Sequence, residues 1–131
     1  MKKIGILNQP LSAMVASLGH TDTLVIADAG LPIPKEVQRI DLALKPGVPA
    51  FLETVESVLT EMQVESAILA EEIVNHNPEV YNALRKMLGE TPIKKIPHQR
   101  FKELTRSART VVRTGEFTPY ANVILVSGVV F

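Results

Sequence analysis

The sequence predicts a single-domain, layered α/β/α fold around a mixed, partly parallel sheet. Two observations carry this reading. Apolar stripes at helical spacing alternate along the chain with short, β-branched apolar runs, the order expected of strands joined by crossover helices. The last two such runs, TVVR and NVILVSGVVF, stand only a short polar stretch apart, which predicts an antiparallel pair there and hence a sheet of mixed direction. At 131 residues the chain has the size of one domain, able to bury close to ~70% of its unfolded surface in a single core.

Leu11, Met14, Val15 and Leu18 recur three and four residues apart. Pro10 suits a first helical turn and Gly19 a C-terminal cap, so a short helix ends just before His20. TLVIAD, 23–28, is of strand length, and AGLPIP after it supplies turn residues, which places Asp28 at the carboxyl end of a strand. In RIDLAL, 39–44, Ile40, Leu42 and Leu44 alternate with Arg39, Asp41 and Ala43, the period of a half-buried strand. KPGVP breaks the chain before a helix whose apolar stripe is Phe51, Leu52, Val55, Val58, Leu59 and Met62. VESAILAEEIV returns to strand character. Asn77-Pro78 opens a helix along Val80, Tyr81, Leu84, Met87 and Leu88, closed by Gly89. Ile93 to Ile96 reads as a brief strand and His98 to Leu104 as a short helix. No internal repeat or linker divides the chain, so one domain covers 1–131.

Fourteen basic side chains balance fourteen acidic ones, so no global field draws in a nucleic acid or an anionic membrane. Cys is absent, which removes disulfides, thiol catalysis and Cys-based metal sites. MKKIGILNQP is interrupted by Asn8 and Pro10 before it reaches the length of a signal sequence, and ANVILVSGVVF falls short of a bilayer span. The expectation is a soluble, cytoplasmic protein with a small-molecule partner, no nucleic acid and no membrane.

Phosphate-cradling loops are missing, since none of the seven glycines lies in a G-x-G and there is no GxxxxGK[ST]. The histidines, His20, His76 and His98, lack metal-ligand spacing. Glu72 and His76 are four apart, but Asn75 and Pro78 argue against an unbroken helix there. No bound metal is expected, and no G-x-S-x-G supports acyl transfer.

His20, between a helix end and a strand, is where a neutral-pH acid or base could be held by two rigid elements; it could equally be an exposed residue capping helix carbonyls. Asp28 ends a strand, where α/β sheets bind ligands, or it simply caps a turn. His98 follows Pro97 and reads as the start of a helix with its side chain in water; His76, between two asparagines, reads as a solvated loop. In RTGEFTPYAN, 113–122, the plain reading pairs Arg113 with Glu116 at the surface. The sharper one places Tyr120 and Asn122 on one face of an extended segment, ring and amide together, as in many sugar sites.

MKKIGILN, LGHTDTLVIADAGLPIP, LKPGVPAF and RTGEFTPYANVIL, in this order over essentially the whole chain, resemble the RbsD/fucose mutarotase family. Gln9-Pro10 departs from the family pattern at a position that touches no site residue. The resemblance implies an isomerase without cofactor that interconverts the pyranose and furanose forms of D-ribose, with fucose or another aldose, or sugar binding without catalysis, as alternatives. It assigns His20 as proton donor and gives sugar binding to Asp28, His98, Tyr120, Ala121 and Asn122, Ala121 through its backbone. It also implies a homodecamer of two stacked pentamers with sites near subunit contacts. His98 is left as either a binding group or a second proton carrier, and the apolar terminus at Phe131 is expected to pack on a neighbouring copy.

Overall fold

The computed structural model describes residues 1–131. In chain order the elements are α1 (Gln9–Ser17), β1 (Thr23–Ala27), β2 (Gln38–Asp41), α2 (Phe51–Leu59), β3 (Val64–Ala70), α3 (Ile73–His76), α4 (Pro78–Leu88), β4 (Ile93–Ile96), α5 (His98–Leu104) and β5 (Thr110–Arg113), with β6 (Val123–Ser127) last. The strands form one sheet in the order β2-β5-β1-β6-β3-β4. β1 and β5, β5 and β2, and β3 and β4 pair parallel, whereas β6 runs antiparallel to both β1 and β3. Only β6 is reversed, so the sheet is mixed and mostly parallel, as the sequence predicts. No helix is long and apolar enough to cross a membrane.

The predicted antiparallel pairing of the last two strands is wrong. β1 lies between β5 and β6 and bonds to both. The stretch from Thr114 to Asn122 is not a hairpin turn but a loop clipped across the end of β1: the Thr114 N–H and Oγ1 both donate to the Ala27 carbonyl, at 3.0 and 2.7 Å. Several predicted strands also end early. β2 stops at Asp41, and Leu44, predicted on its buried face, is 78% exposed. β3 stops at Ala70 because the Val74 N–H closes a turn onto the Glu71 carbonyl and leads into α3. β6 stops at Ser127, and Val130 and Phe131 project into solvent.

The first helix ends at Ser17 with Leu18, not Gly19, as its cap. Its start is as expected: the Asn8 side chain accepts the Leu11 N–H at 3.0 Å and Pro10 occupies the first turn. Gly19 instead opens a tight turn in which the Asp22 N–H donates to its carbonyl and the Asp22 carboxylate accepts its N–H at 2.8 Å.

Apolar side chains cover both faces of the sheet. On one face, Leu11 and Met14 of α1, Phe51, Val55 and Val58 of α2, and Leu84 and Leu88 of α4 pack against Leu24, Ile26, Leu69 and Leu125. On the other, Phe101 of α5 joins Leu31 and Val37 against Val25, Val111 and Ile124. Phe101 is wholly buried, which contributes about 1.5–3 kcal/mol by transfer alone and seats α5, with His98 at its first position, on the sheet.

Candidate active site

The carboxyl ends of β1, β3 and β4 and the entrance to β6 meet at one edge of the sheet, the edge where α/β folds bind ligands. Asp28 follows β1, Glu72 follows β3, His98 follows β4, and Tyr120 to Asn122 precede β6. Four segments distant in sequence thereby supply one cluster.

Asp28 is held from three sides. Its backbone N–H donates to Asn122 Oδ1 at 2.8 Å, Asn122 Nδ2 donates back to Asp28 Oδ2 at 2.9 Å, and the Gly30 N–H donates to Asp28 Oδ1 at 2.9 Å. Asn122 is completely buried, so its amide fixes the carboxylate, which is half-buried beside it. The sequence argument that Tyr120 and Asn122 share a face of an extended segment does not hold. Tyr120 sits in the left-handed region, φ 57°, and its carbonyl accepts the Asn122 N–H at 2.8 Å, so a tight turn replaces the extended segment assumed for the pair. The Ala121 N–H in this turn makes no hydrogen bond within the chain.

The Tyr120 ring lies at 87° to that of His98, centroids 5.1 Å apart, and its centroid is 5.3 Å from that of His76. His76 ends α3 and is therefore not the isolated loop residue that the Asn-His-Asn-Pro run suggests. The bulk of α3 and the Asn77 side chain, which donates to Thr118 Oγ1 and to the Pro119 carbonyl at 2.8 and 3.0 Å, tie this turn to the loop before β6. Glu72 holds the start of α5, both its oxygens accepting the His98 N–H at 3.0 Å.

His98 itself is half-buried, with its Nδ1 buried and without a hydrogen-bond partner in the chain. Burial, and then the Lys102 ammonium one turn along α5, push its pKa below the ordinary 6.5, while Glu72 and Asp28 pull the other way. The ring is therefore neutral at pH 7, with one nitrogen free to accept or donate to a hydroxyl. The stability consequence has a definite sign. A depressed histidine pKa favours the fold fully above the unfolded value of 6.5; below it the unfolded ring takes up a proton that the folded one resists, and the advantage is lost as pH falls through the folded pKa. Urea titrations from pH 7.5 to 5 are expected to show wild type losing stability more steeply than His98→Asn; parallel curves would deny the shift.

The rest of RTGEFTPYAN maintains the loop. Arg113 does not pair with Glu116, as the plain reading had it, but reaches Asp41 at 3.2 Å and donates from Nε to the Ala29 carbonyl at 3.1 Å. Glu116 accepts the Phe51 N–H at the start of α2 and the Thr118 hydroxyl, at 3.1 and 2.9 Å. A cleft of about 410 Å³ opens beside Asp28, lined also by Ala29, Gly30, Arg113, Glu116 and Phe117. A larger one, about 530 Å³, lies between the N-terminal segment and α2. Its lining contains none of Asp28, His98 and Tyr120; the smaller cleft has Asp28 alone of these in its lining and reaches Thr118 and Pro119, the residues that lead into Tyr120.

His20 is not in this cluster. It lies in the turn before β1, and at about 3.3 Å per residue the strand separates the two ends of β1 by some 15–20 Å. The exposed ring sits at the opposite sheet edge, with Nε2 2.8 Å from Glu65 Oε2. Asp28, His98, Tyr120, Ala121 and Asn122 are brought together; His20 meets them only if a second copy supplies it. His76 and Glu72, whose spacing the sequence shows but Asn75 and Pro78 argue against using, and Lys102, which the sequence does not single out, are the further neighbours of this cluster. The helical spacing of Glu72 with His76, and of His98 with Lys102, was the available signal.

A model of the RbsD / FucU transport protein family matches residues 1–130. The chain belongs to that family. Within it, a D-ribose pyranase of Laribacter hongkongensis is 63% identical over 131 residues, the full length of both chains. The structure of Bacillus subtilis RbsD complexed with D-ribose superposes with a TM-score of 0.97 at 53% identity, covering all of both chains. The fucose mutarotase of Streptococcus pneumoniae, in complex with L-fucose, gives 0.83 at 26% identity over 95% of each.

Proposed function

We propose that this chain is an isomerase that interconverts the pyranose and furanose rings of D-ribose. The observation that carries the reading is the buried, unpartnered Nδ1 of His98 beside Tyr120 and the fixed Asp28 carboxylate, in a fold superposable on a relative in complex with D-ribose. A neutral imidazole, a clamped carboxylate, a phenol and the Ala121 N–H offer donors and acceptors for the hydroxyls of a pentose, and the Tyr120 face suits its C–H surface.

The chemistry consists of proton transfers. The ring oxygen gains a proton, the anomeric hydroxyl loses one, the bond from C1 to the ring oxygen breaks and an open-chain aldehyde forms. Attack of the C4 hydroxyl on C1 then closes the five-membered ring: the C4 hydroxyl gives up its proton, the carbonyl π bond opens, and the former aldehyde oxygen takes up a proton to become the new anomeric hydroxyl. His20 delivers the proton to the ring oxygen, Asp28 holds hydroxyls, and His98 binds a hydroxyl or receives the proton released at C1. Because His20 lies across the sheet from the other groups, each site joins the His20 of one copy to the Asp28, His98 and Tyr120 of another. That arrangement requires an oligomer, read here as a decamer of two stacked pentamers working in the cytoplasm.

Saturation-transfer NMR on D-ribose tests the function. Catalytic amounts of protein are expected to accelerate exchange between pyranose and furanose signals, whereas a sugar-binding protein without catalysis leaves exchange at its spontaneous rate. The likeness to a fucose mutarotase makes a second aldose the alternative substrate, and the same measurement across several aldoses decides it.

A further inference from the structure

We infer that Glu65 is a positioning residue for His20, fixing the tautomer and direction of the imidazole; this rests on the catalytic reading of His20 given above. The contact is Glu65 Oε2 to His20 Nε2 at 2.8 Å, and a carboxylate can only accept there. The proton is thereby held on Nε2, and Nδ1 is left as the atom that exchanges protons with a sugar.

Three features of the backbone build this contact. The register of β3 against β6 slips between Val64 and Ser66, so Glu65 is the extra residue of a β-bulge, a device that re-aims a side chain out of the regular alternation. Gly128 faces the bulge where a Cβ would lie 3.0 Å from Glu65 Cβ and 3.3 Å from its N, so a bare glycine lets the two segments approach. The turn that carries His20 is anchored to the same place: the Thr21 N–H donates to the Ser127 carbonyl at 2.9 Å, the Ser127 N–H to the Asp22 carbonyl at 2.8 Å, and the Gly128 N–H to the Gln63 carbonyl at 2.9 Å. Thr21 is held at φ 68°, a left-handed conformation unfavourable to a β-branched residue. A half-exposed ion pair alone adds little to stability, yet here a bulge, a close glycine and a left-handed turn converge on it. Orientation is the property these features serve.

The test combines kinetics with a spectroscopic signature. Glu65→Ala is expected to lower the maximal exchange rate about 10–100-fold, as loss of a partner that orients an imidazole commonly does, with little change in KM for D-ribose. Glu65→Gln, whose amide oxygen still accepts from Nε2–H, is expected to recover part of the rate and keeps the size of the side chain should the alanine variant fail to fold. Nitrogen-15 spectra of the His20 ring are expected to show the Nε2–H tautomer in wild type and a mixture in Glu65→Ala. An unchanged rate in Glu65→Ala, or a wild-type ring protonated on Nδ1 alone, overturns the inference. If His20→Ala itself leaves exchange intact, the catalytic reading of His20 fails instead, and the tautomer spectra still report whether Glu65 orients the ring.

Discussion

Replacing His20 by Ala is expected to reduce ribose ring exchange by on the order of 10²–10⁴, the usual worth of a positioned acid or base, while D-ribose still binds. Binding survives because Asp28, Asn122, His98 and Tyr120 are held by their own contacts at the far edge of the sheet, none of which involves His20. The same geometry gives a stricter test. Asp28→Ala removes the clamped carboxylate and should also be nearly inactive, for lack of sugar binding. When the two variants are denatured and co-refolded, a copy carrying an intact His20 can face a copy carrying an intact Asp28. For head-to-tail contacts between randomly mixed subunits, about a quarter of the sites regain both groups, so activity should reappear in the mixture. A site made within a single chain could not be rescued in this way. Mixtures as inactive as their components would remove the shared site, and His20→Ala with a wild-type rate would remove His20 from the chemistry.

The contrast between the two edges of the sheet also shows what the sequence could convey. TLVIAD is an unambiguous buried run, and since β1 is apolar to its end, Asp28 could only emerge at its carboxyl terminus. The helical stripes of α2 and α4 were equally readable, because their core positions follow the helical period. Pairing partners were not, since the spacing of two apolar runs does not reveal that Thr114 clips the intervening loop onto Ala27 and carries the chain past β1. For the same reason the relation of Tyr120 to Asn122 was misjudged. A positive φ at a tyrosine has no signature in composition, and the extended spacing assumed for the pair disappears once the turn forms. His76 was hidden because Asn-His-Asn-Pro is turn chemistry by every local rule; a single helical turn, α3, brings its ring to Tyr120. Glu65 was hidden for a third reason. A bulge depends on the register of a partner strand more than fifty residues away, and no local window contains that information.

Gly115→Ala is expected to be the most damaging substitution in the loop that carries Tyr120. The position is buried and its φ is not left-handed, so conformational freedom is not the reason for a glycine there. The reason is space: a Cβ would sit 2.6 Å from both the N and the carbonyl C of Val48, and closer still to its O. Backbone cannot rotate away as a side chain can, and the two segments are already joined by the Gly47 N–H to the Gly115 carbonyl at 2.6 Å and the Gly115 N–H to the Pro49 carbonyl at 2.9 Å. Relief requires the loop to move as a unit, at an overpacking cost of about 1–3 kcal/mol, or a fall in Tm of roughly 5–15 °C for a domain of this size. The displacement propagates, because Glu116 next in sequence holds both the start of α2 and, through its carbonyl, the Ala29 N–H at 2.8 Å beside Asp28. Affinity for D-ribose should therefore fall together with stability. Gly47→Ala is the control. At φ 79° with open space around it, it bears only the strain of a left-handed alanine, about 1–2 kcal/mol, and although its N–H bonds to the Gly115 carbonyl, the added methyl group meets no atom that would push the loop aside. Thermal melts and ribose titrations of the two variants separate the effects: Gly115→Ala should lose both stability and sugar, Gly47→Ala some stability alone. Equal ribose affinity in the two would mean that the loop does not transmit its position to the carboxylate.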